Sequence, residues 1–154
     1  MNSQLHNLFE YSDGKLFWKI NTGKALIGDV AGTKAKNNRI YVSVNGKKLL
    51  AHRIIWFFHH GDCPQFLDHI DGNPLNNCIE NLRPATKSQN AMNRKVRSDS
   101  LTGVKGIMKK GKKFGASIYL NDKPVYLGTL ETAELAKAAY AQAANTNFKE
   151  YARV

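Results

Sequence analysis

The chain has 154 residues and a mass of 17.2 kDa, with 23 Lys and Arg against 12 Asp and Glu, a formal charge of +11 and a pI of about 9.7. That length allows one domain or a few small modules, and 42% hydrophobic with 10% aromatic residues excludes wholesale disorder. An ordinary metabolic enzyme has no need of such a cation surplus; a polyanionic partner rewards it through counterion release, nucleic acid first and a membrane surface second.

Cys63 and Cys78 are too few for a disulfide framework and form no CxxC zinc pair, so a reducing compartment is expected. The N-terminus MNSQLHNLFEYSDG has no charged head before an apolar run, and no stretch nears the ~20 apolar residues of a membrane span. The expectation is a soluble, cytoplasmic protein without membrane association. The charge is unevenly placed. Nine basic residues face three acidic ones in 1–60, five face four in 61–98, and nine face five in 99–154. Two basic flanks thus enclose a nearly neutral centre.

In the first flank, residues 15–20 and 39–44 are rich in aromatic and β-branched side chains and are bounded by the turn signals Asp13-Gly14, Asn37-Asn38 and Asn45-Gly46. Residues 5–50 therefore read as a small antiparallel β unit. Ala51 to His60, closed by Gly61, reads as a largely buried helix.

The centre, residues 66–95, runs from Phe66 through Asp68-His69-Ile70-Asp71-Gly72 to Glu80-Asn81-Leu82-Arg83 and Thr86-Lys87-Ser88-Gln89-Asn90. Phe66 to Ile70 is strand-like, Asp71 to Pro74 must turn, and Leu82 lies on a return strand. Thr86 with Gln89 has the form of a capping box. The helix it starts carries Asn90 one turn in, where its side chain can point back across the hairpin. Phosphodiester hydrolysis needs an activated water, charge stabilisation at phosphate and help for the departing oxygen. His69 is suited to be the base, since an ordinary imidazole is substantially neutral near pH 7. Asp68 and the Asn90 carbonyl oxygen are hard ligands for one Mg²⁺ or Mn²⁺. Asn81 is the candidate to hold the imidazole in one tautomer. Arg83 and Arg94 are candidate phosphate contacts, with a solvated face an equal account, and Arg97 shares that reading. His52 reads as a core or supporting histidine. Asn73, Asn76 and Asn77 read as loop-fixing Asx residues, and a zinc site joining the two cysteines to His69 is the lesser alternative to free thiols.

These residues resemble the HNH endonuclease motif in its phage-type homing form, over roughly residues 50–95. The resemblance implies a ββα-metal fold, double-stranded DNA as substrate and a divalent ion. It implies His69 as general base, Asp68 and Asn90 as metal ligands and Asn81 as the central asparagine supporting the base. Many relatives have histidine where Asn90 stands, and this departure favours a hard ion over zinc.

After the basic stretch 94–100, read as a linker, three strand candidates (104–109, 113–120, 123–128) precede an alanine-rich helix, residues 133–144, with Thr132 as N-cap. Alternation places Phe114, Ala116, Ile118 and Leu120 against that helix and Ser117 and Tyr119 outward. Residues 100–150 resemble the ethylene-response-factor (Apetala-type) DNA-binding domain, in which a three-stranded sheet enters the major groove. The resemblance implies DNA contacts at Lys105, Ile107, Ser117, Tyr119 and Tyr126, without carrying over any base specificity.

The expected chain is α+β. An HNH domain (1–97) comprises the β unit 5–50, helix 51–60 and ββα-metal motif 66–95; an Apetala-type domain (98–154) follows. The expected activity is site-directed, metal-dependent DNA cleavage by a monomer or homodimer, in a bacterial host's cytoplasm if phage-encoded, with no protein partner implied. The alternatives are a non-cutting DNA-binding regulator on a nuclease-like scaffold and an RNA-binding module.

Overall fold

Asp13 and Gly14 take positive φ (46° and 74°), as do Asn45 and Gly46 (49° and 75°). Both pairs therefore make the left-handed two-residue turns that match strand twist. The first closes a hairpin of β1 (Phe9–Ser12) and β2 (Lys15–Trp18). The second joins β4 (Ile40–Val44) to β5 (Lys47–Leu50), with the short β3 (Thr33–Lys34) on the other side of β4. The computed structural model describes residues 2–96, 100 and 102–154; it divides into two compact units, residues 1–84 and 85–154. The domain boundary expected at residues 97 and 98, and Arg97 with it, lies outside the described residues.

In the first unit the chain opens with a helix, α1 (Asn2–Leu8), where the β unit was expected to begin at residue 5. Leu5 is buried beside Phe9 and Leu16 in a core completed by Val42, Ile55 and Leu82, so the burial of one helical face decides the outcome. Helix α2 (Ala51–His60) follows β5 directly and ends at Gly61, whose φ of 78° makes the αL cap, with its N–H donating to the Phe57 carbonyl. Ile54, Ile55 and Trp56 are buried on it; truncating Ile55 to alanine should cost about 2–5 kcal/mol. A last hairpin pairs β6 (Leu67–His69) with β7 (Leu82–Pro84) in the register Leu67↔Pro84, Asp68↔Arg83, His69↔Leu82.

The second unit holds α3 (Lys87–Met92), a three-stranded antiparallel sheet of β8 (Ile107–Lys110), β9 (Lys113–Leu120) and β10 (Lys123–Leu130), and α4 (Ala133–Phe148). The expected capping box is present: Thr86 Oγ1 accepts from Gln89 N at 3.1 Å, and Gln89 Oε1 accepts from Thr86 N at 2.7 Å. Ala116 and Ile118 meet Ala136, Tyr140 and Ala144 of α4 in the core. Met92 of α3 joins them, its sulfur accepting the Tyr140 hydroxyl at 3.4 Å. Among the described residues no helix is long and apolar enough to cross a membrane.

Candidate active site

The β6–β7 hairpin sets the site. Antiparallel pairing puts Asp68 directly opposite Arg83, and the guanidinium closes on the carboxylate with Nε and Nη2 at 3.0 and 2.9 Å from Oδ2. Both side chains are largely out of solvent, at 5% and 12% exposure. Arg83, read as a candidate phosphate contact or part of a solvated face, is largely buried and supplies the counter-charge to the buried Asp68 carboxylate.

His69, the next residue, is also buried. Its Nε2 lies 3.0 Å from Oδ1 of Asn77, itself fully buried. With the amide oxygen as acceptor, this bond is made by the tautomer protonated on Nε2, which leaves Nδ1 as the basic nitrogen. Burial lowers the His69 pKa below its ordinary value; the Asn77 bond works against that and Arg39 adds to it, while Asp71 and Asp68 raise it. The His52 ring packs edge-on against His69, centroids 5.0 Å apart. Burial, then the positive field of His69, Arg39 and Arg53, pushes its pKa down to about 3. Both pKa values thus lie below the ordinary imidazole value.

The imidazole bond expected of Asn81 is thus made by Asn77, a residue whose sequence setting suggests only loop fixing. Asn81 ends the 3-10 turn Ile79–Asn81 before β7. Its Oδ1 accepts from Asp71 N at 3.0 Å, and its Nδ2 donates to Asp71 Oδ1 at 3.0 Å and to the Asn76 carbonyl at 2.8 Å. It clamps the two ends of the 71–81 loop and acts on His69 only through that loop. Asp71 completes the clamp, accepting from Asn73 N at 2.7 Å and Asn76 Nδ2 at 2.8 Å. Burial pulls the Asp71 pKa up, but these hydrogen bonds prevail and hold it below the ordinary carboxylate value. The β1–β2 hairpin braces the same loop from outside. Tyr11 Oη accepts from Ile79 N at 3.1 Å, and a Cβ on Gly14 would stand 2.7 Å from the Cys78 nitrogen. Asn77 lies in the loop between His69 and Arg83, but the loop's reach back to His69 is not a local property.

Asn90 and Arg94 belong to the second unit; Asn90 is the fourth residue of α3, and Arg94 is exposed just beyond it. Taken singly, the Asp68 carboxylate and the Asn90 amide oxygen are each donors of the kind a hard, hydrated cation takes. Among the described residues no cluster of three His, Cys, Asp or Glu side chains forms a self-contained cage. Cys63 and Cys78 are free and half-buried, and no zinc site forms around them among those residues.

On the second unit's sheet the outward side carries Met108, Tyr119 and Tyr126, exposed by 64, 62 and 58%. Ser117 stands opposite Tyr126, and Lys110 Nζ lies 5.1 Å from the Tyr126 ring centroid. Two expected contact residues are not available on this face. Ile107 pairs with Ala116 and is buried with it and Ala136. Lys105 is half-buried; its ammonium donates to the Met92 carbonyl at 2.5 Å, and burial, then Arg153, lowers its pKa to about 8.

The β6–β7 hairpin thus sets a buried histidine, hydrogen-bonded through Nε2, next to a buried carboxylate. Residues 49–92 match the model of the HNH endonuclease family. Over 114 residues it is 35% identical to an HNH endonuclease of Acanthamoeba polyphaga mimivirus, covering 72% of this chain and 59% of that one. Over 58 residues it is 40% identical to protein 3.8 of Escherichia phage T7, covering 36% and 48% respectively. The chain thus spans about half the length of these curated relatives.

Proposed function

We propose that this protein is a divalent-metal-dependent DNA endonuclease of the homing type, acting on phosphodiester bonds in duplex DNA. The buried Asn77–His69 bond at 3.0 Å carries the reading, because it holds a base in its reactive tautomer. The HNH match over residues 49–92 supports it independently.

His69 Nδ1 takes the proton of the attacking water, and the imidazolium so formed keeps its Nε2–H on the Asn77 carbonyl. Asn77 therefore orients the ring in both protonation states. Arg83 holds the Asp68 carboxylate in one orientation, and Asn81 with Asp71 keeps the loop that delivers Asn77. A Mg²⁺ or Mn²⁺ held by Asp68 and Asn90 would supply charge neutralisation at the phosphate and at the departing 3′ oxygen. The second unit is the Apetala-type reader in this proposal, its exposed tyrosines and Ser117 facing the groove and Arg94 facing phosphate. One site per chain makes a nick the product of a monomer, and a homodimer would cut both strands. The phage and virus relatives support action in a host cytoplasm.

The test is relaxation of supercoiled plasmid carrying a candidate host region. Wild type with Mg²⁺ is expected to nick it. EDTA and His69→Ala should each abolish the product. Binding of the same DNA with no nicking by wild type under any divalent ion would overturn the catalytic assignment in favour of a regulator.

A further inference from the structure

We propose that the first unit has its own duplex DNA-binding surface, a lysine-lined hollow that grips the phosphate backbone, separate from the hairpin carrying His69. This rests on duplex DNA being the partner, though not on cleavage.

Strand alternation builds the hollow. Val42 is fully buried in the core, so its neighbours Tyr41 and Ser43 face the other way. Across the ladder Thr33 stands opposite Tyr41 and Lys48 opposite Ser43, on that same face. The 22–25 segment and the 34–37 turn wall this floor, enclosing an open hollow of about 1140 Å³. Lys24, Lys34, Lys36 and Lys48 line it, and no carboxylate does. From residue 15 to 53 the sequence has nine Lys and Arg and a single acidic residue, Asp29. Asp29 Oδ2 is already accepting from Leu26 N at 2.8 Å.

The walls are held in place rather than adapting around a ligand. Thr22 Oγ1 accepts from Ala25 N at 3.0 Å, and Asn21 Oδ1 accepts from Ile27 N at 3.0 Å. Gly28 N donates to the Trp18 carbonyl at 2.8 Å. Gly32, at φ 113°, brings the strand entry so close that a Cβ would lie 2.7 Å from Ile40 Cγ2. Four lysines lining one hollow with no carboxylate among its lining residues give it a positive field that favours a polyanion. Of polyanions, a duplex presents a rigid, closely spaced row of phosphates that a fixed, open hollow can track. Hydroxyls of Tyr41, Ser43 and Thr33 on the floor add neutral donors for phosphate oxygens.

The full-length His69→Ala protein, which removes cleavage from the experiment, is titrated with a fluorescent 30-base-pair duplex from 50 to 300 mM salt, in EDTA. Lys24→Gln/Lys34→Gln/Lys48→Gln is compared with the equal-charge control Lys15→Gln/Lys19→Gln/Lys47→Gln, whose lysines lie outside the hollow. The hollow variant should lower the slope of log K against log salt by about 3, near 0.9 for each phosphate no longer neutralised, and the control by well under 1. Protection of Lys24, Lys34 and Lys48 from acetylation by bound duplex, read by mass spectrometry on the unsubstituted chain, is the second measurement and does not depend on variant folding. Equal slope changes in the two variants, or absent protection, would overturn the proposal. So would displacement of the duplex by structured RNA or anionic vesicles at lower phosphate concentration than by duplex itself. Hollow-dependent binding by a chain whose wild type never nicks DNA would support this surface while removing the nuclease reading.

Discussion

Asn77 Oδ1 lies 3.0 Å from His69 Nε2, and both side chains are buried. The bond joins two residues eight positions apart across a loop, and it assigns Nδ1 as the basic atom. Asn77→Ala should lower nicking about 10- to 100-fold, as loss of an orienting partner does. The Asn77 bond also raises the His69 pKa, so its removal should move the acidic limb of the rate profile to lower pH. A variant that loses stability but keeps the wild-type rate and pH profile would show Asn77 to be only structural.

Gly14 connects a distant hairpin to that bond. With φ at 74° and a Cβ position 2.7 Å from Cys78 N and 3.0 Å from the Asn77 carbonyl carbon, Gly14→Ala is strained twice over. Expected are a loss of about 1–3 kcal/mol of stability and a fall in nicking larger than the fall in DNA affinity. Unchanged nicking in a folded variant would mean the loop does not transmit the displacement.

Asp68 and Arg83 form a buried pair at 2.9 Å. Removing the guanidinium takes this counter-charge from a buried carboxylate, so Arg83→Met should cost about 3–5 kcal/mol in urea unfolding. The double variant Asp68→Asn/Arg83→Met should recover part of that loss. An Arg83→Met variant as stable as wild type would place the pair in effective contact with water.

His52 gives a pH dependence of stability. Its folded pKa is depressed to about 3 from an ordinary 6.5, so the unfolded chain binds more protons between those values. The resulting stabilisation is complete above pH 6.5 and is lost as pH falls from there toward 3, by a few kcal/mol at most. Urea midpoints should drop between pH 7 and pH 5, and by less in His52→Gln. The same drop in both proteins would assign the effect to other groups.

Metal dependence has a separate signature. Asp68→Asn should abolish nicking in Mg²⁺ while EDTA leaves duplex binding by the wild-type chain in place, since the lysines and tyrosines need no ion. Measuring both on one duplex separates the two properties.

Much of the architecture follows from neighbouring residues alone. Asp13-Gly14 and Asn45-Gly46 admit positive φ, Gly61 stops α2, and Thr86 with Gln89 starts α3, because each signal acts within a turn of its own backbone. The alternation in β9 likewise turns Ala116 and Ile118 inward, as their burial bears out. Other outcomes depend on which distant backbone arrives opposite. Ile107 turns inward because it pairs with Ala116, and a one-residue change of register would have reversed it. Arg83 is the counter-ion of Asp68 because β7 sets it across from that carboxylate. Leu5 makes its segment helical by meeting Phe9 and Leu16.

The chain's composition and short-range pattern thus determined a basic α+β protein with adjacent carboxylate and histidine on a strand of a hairpin. Only the tertiary structure decided that Asn77 holds the imidazole, and that lysines 24, 34, 36 and 48 share one hollow. Turns and caps arise from contacts a few residues long; a hydrogen bond across a loop, or a hollow lined by lysines from separate strands and loops, exists only once the chain has closed on itself.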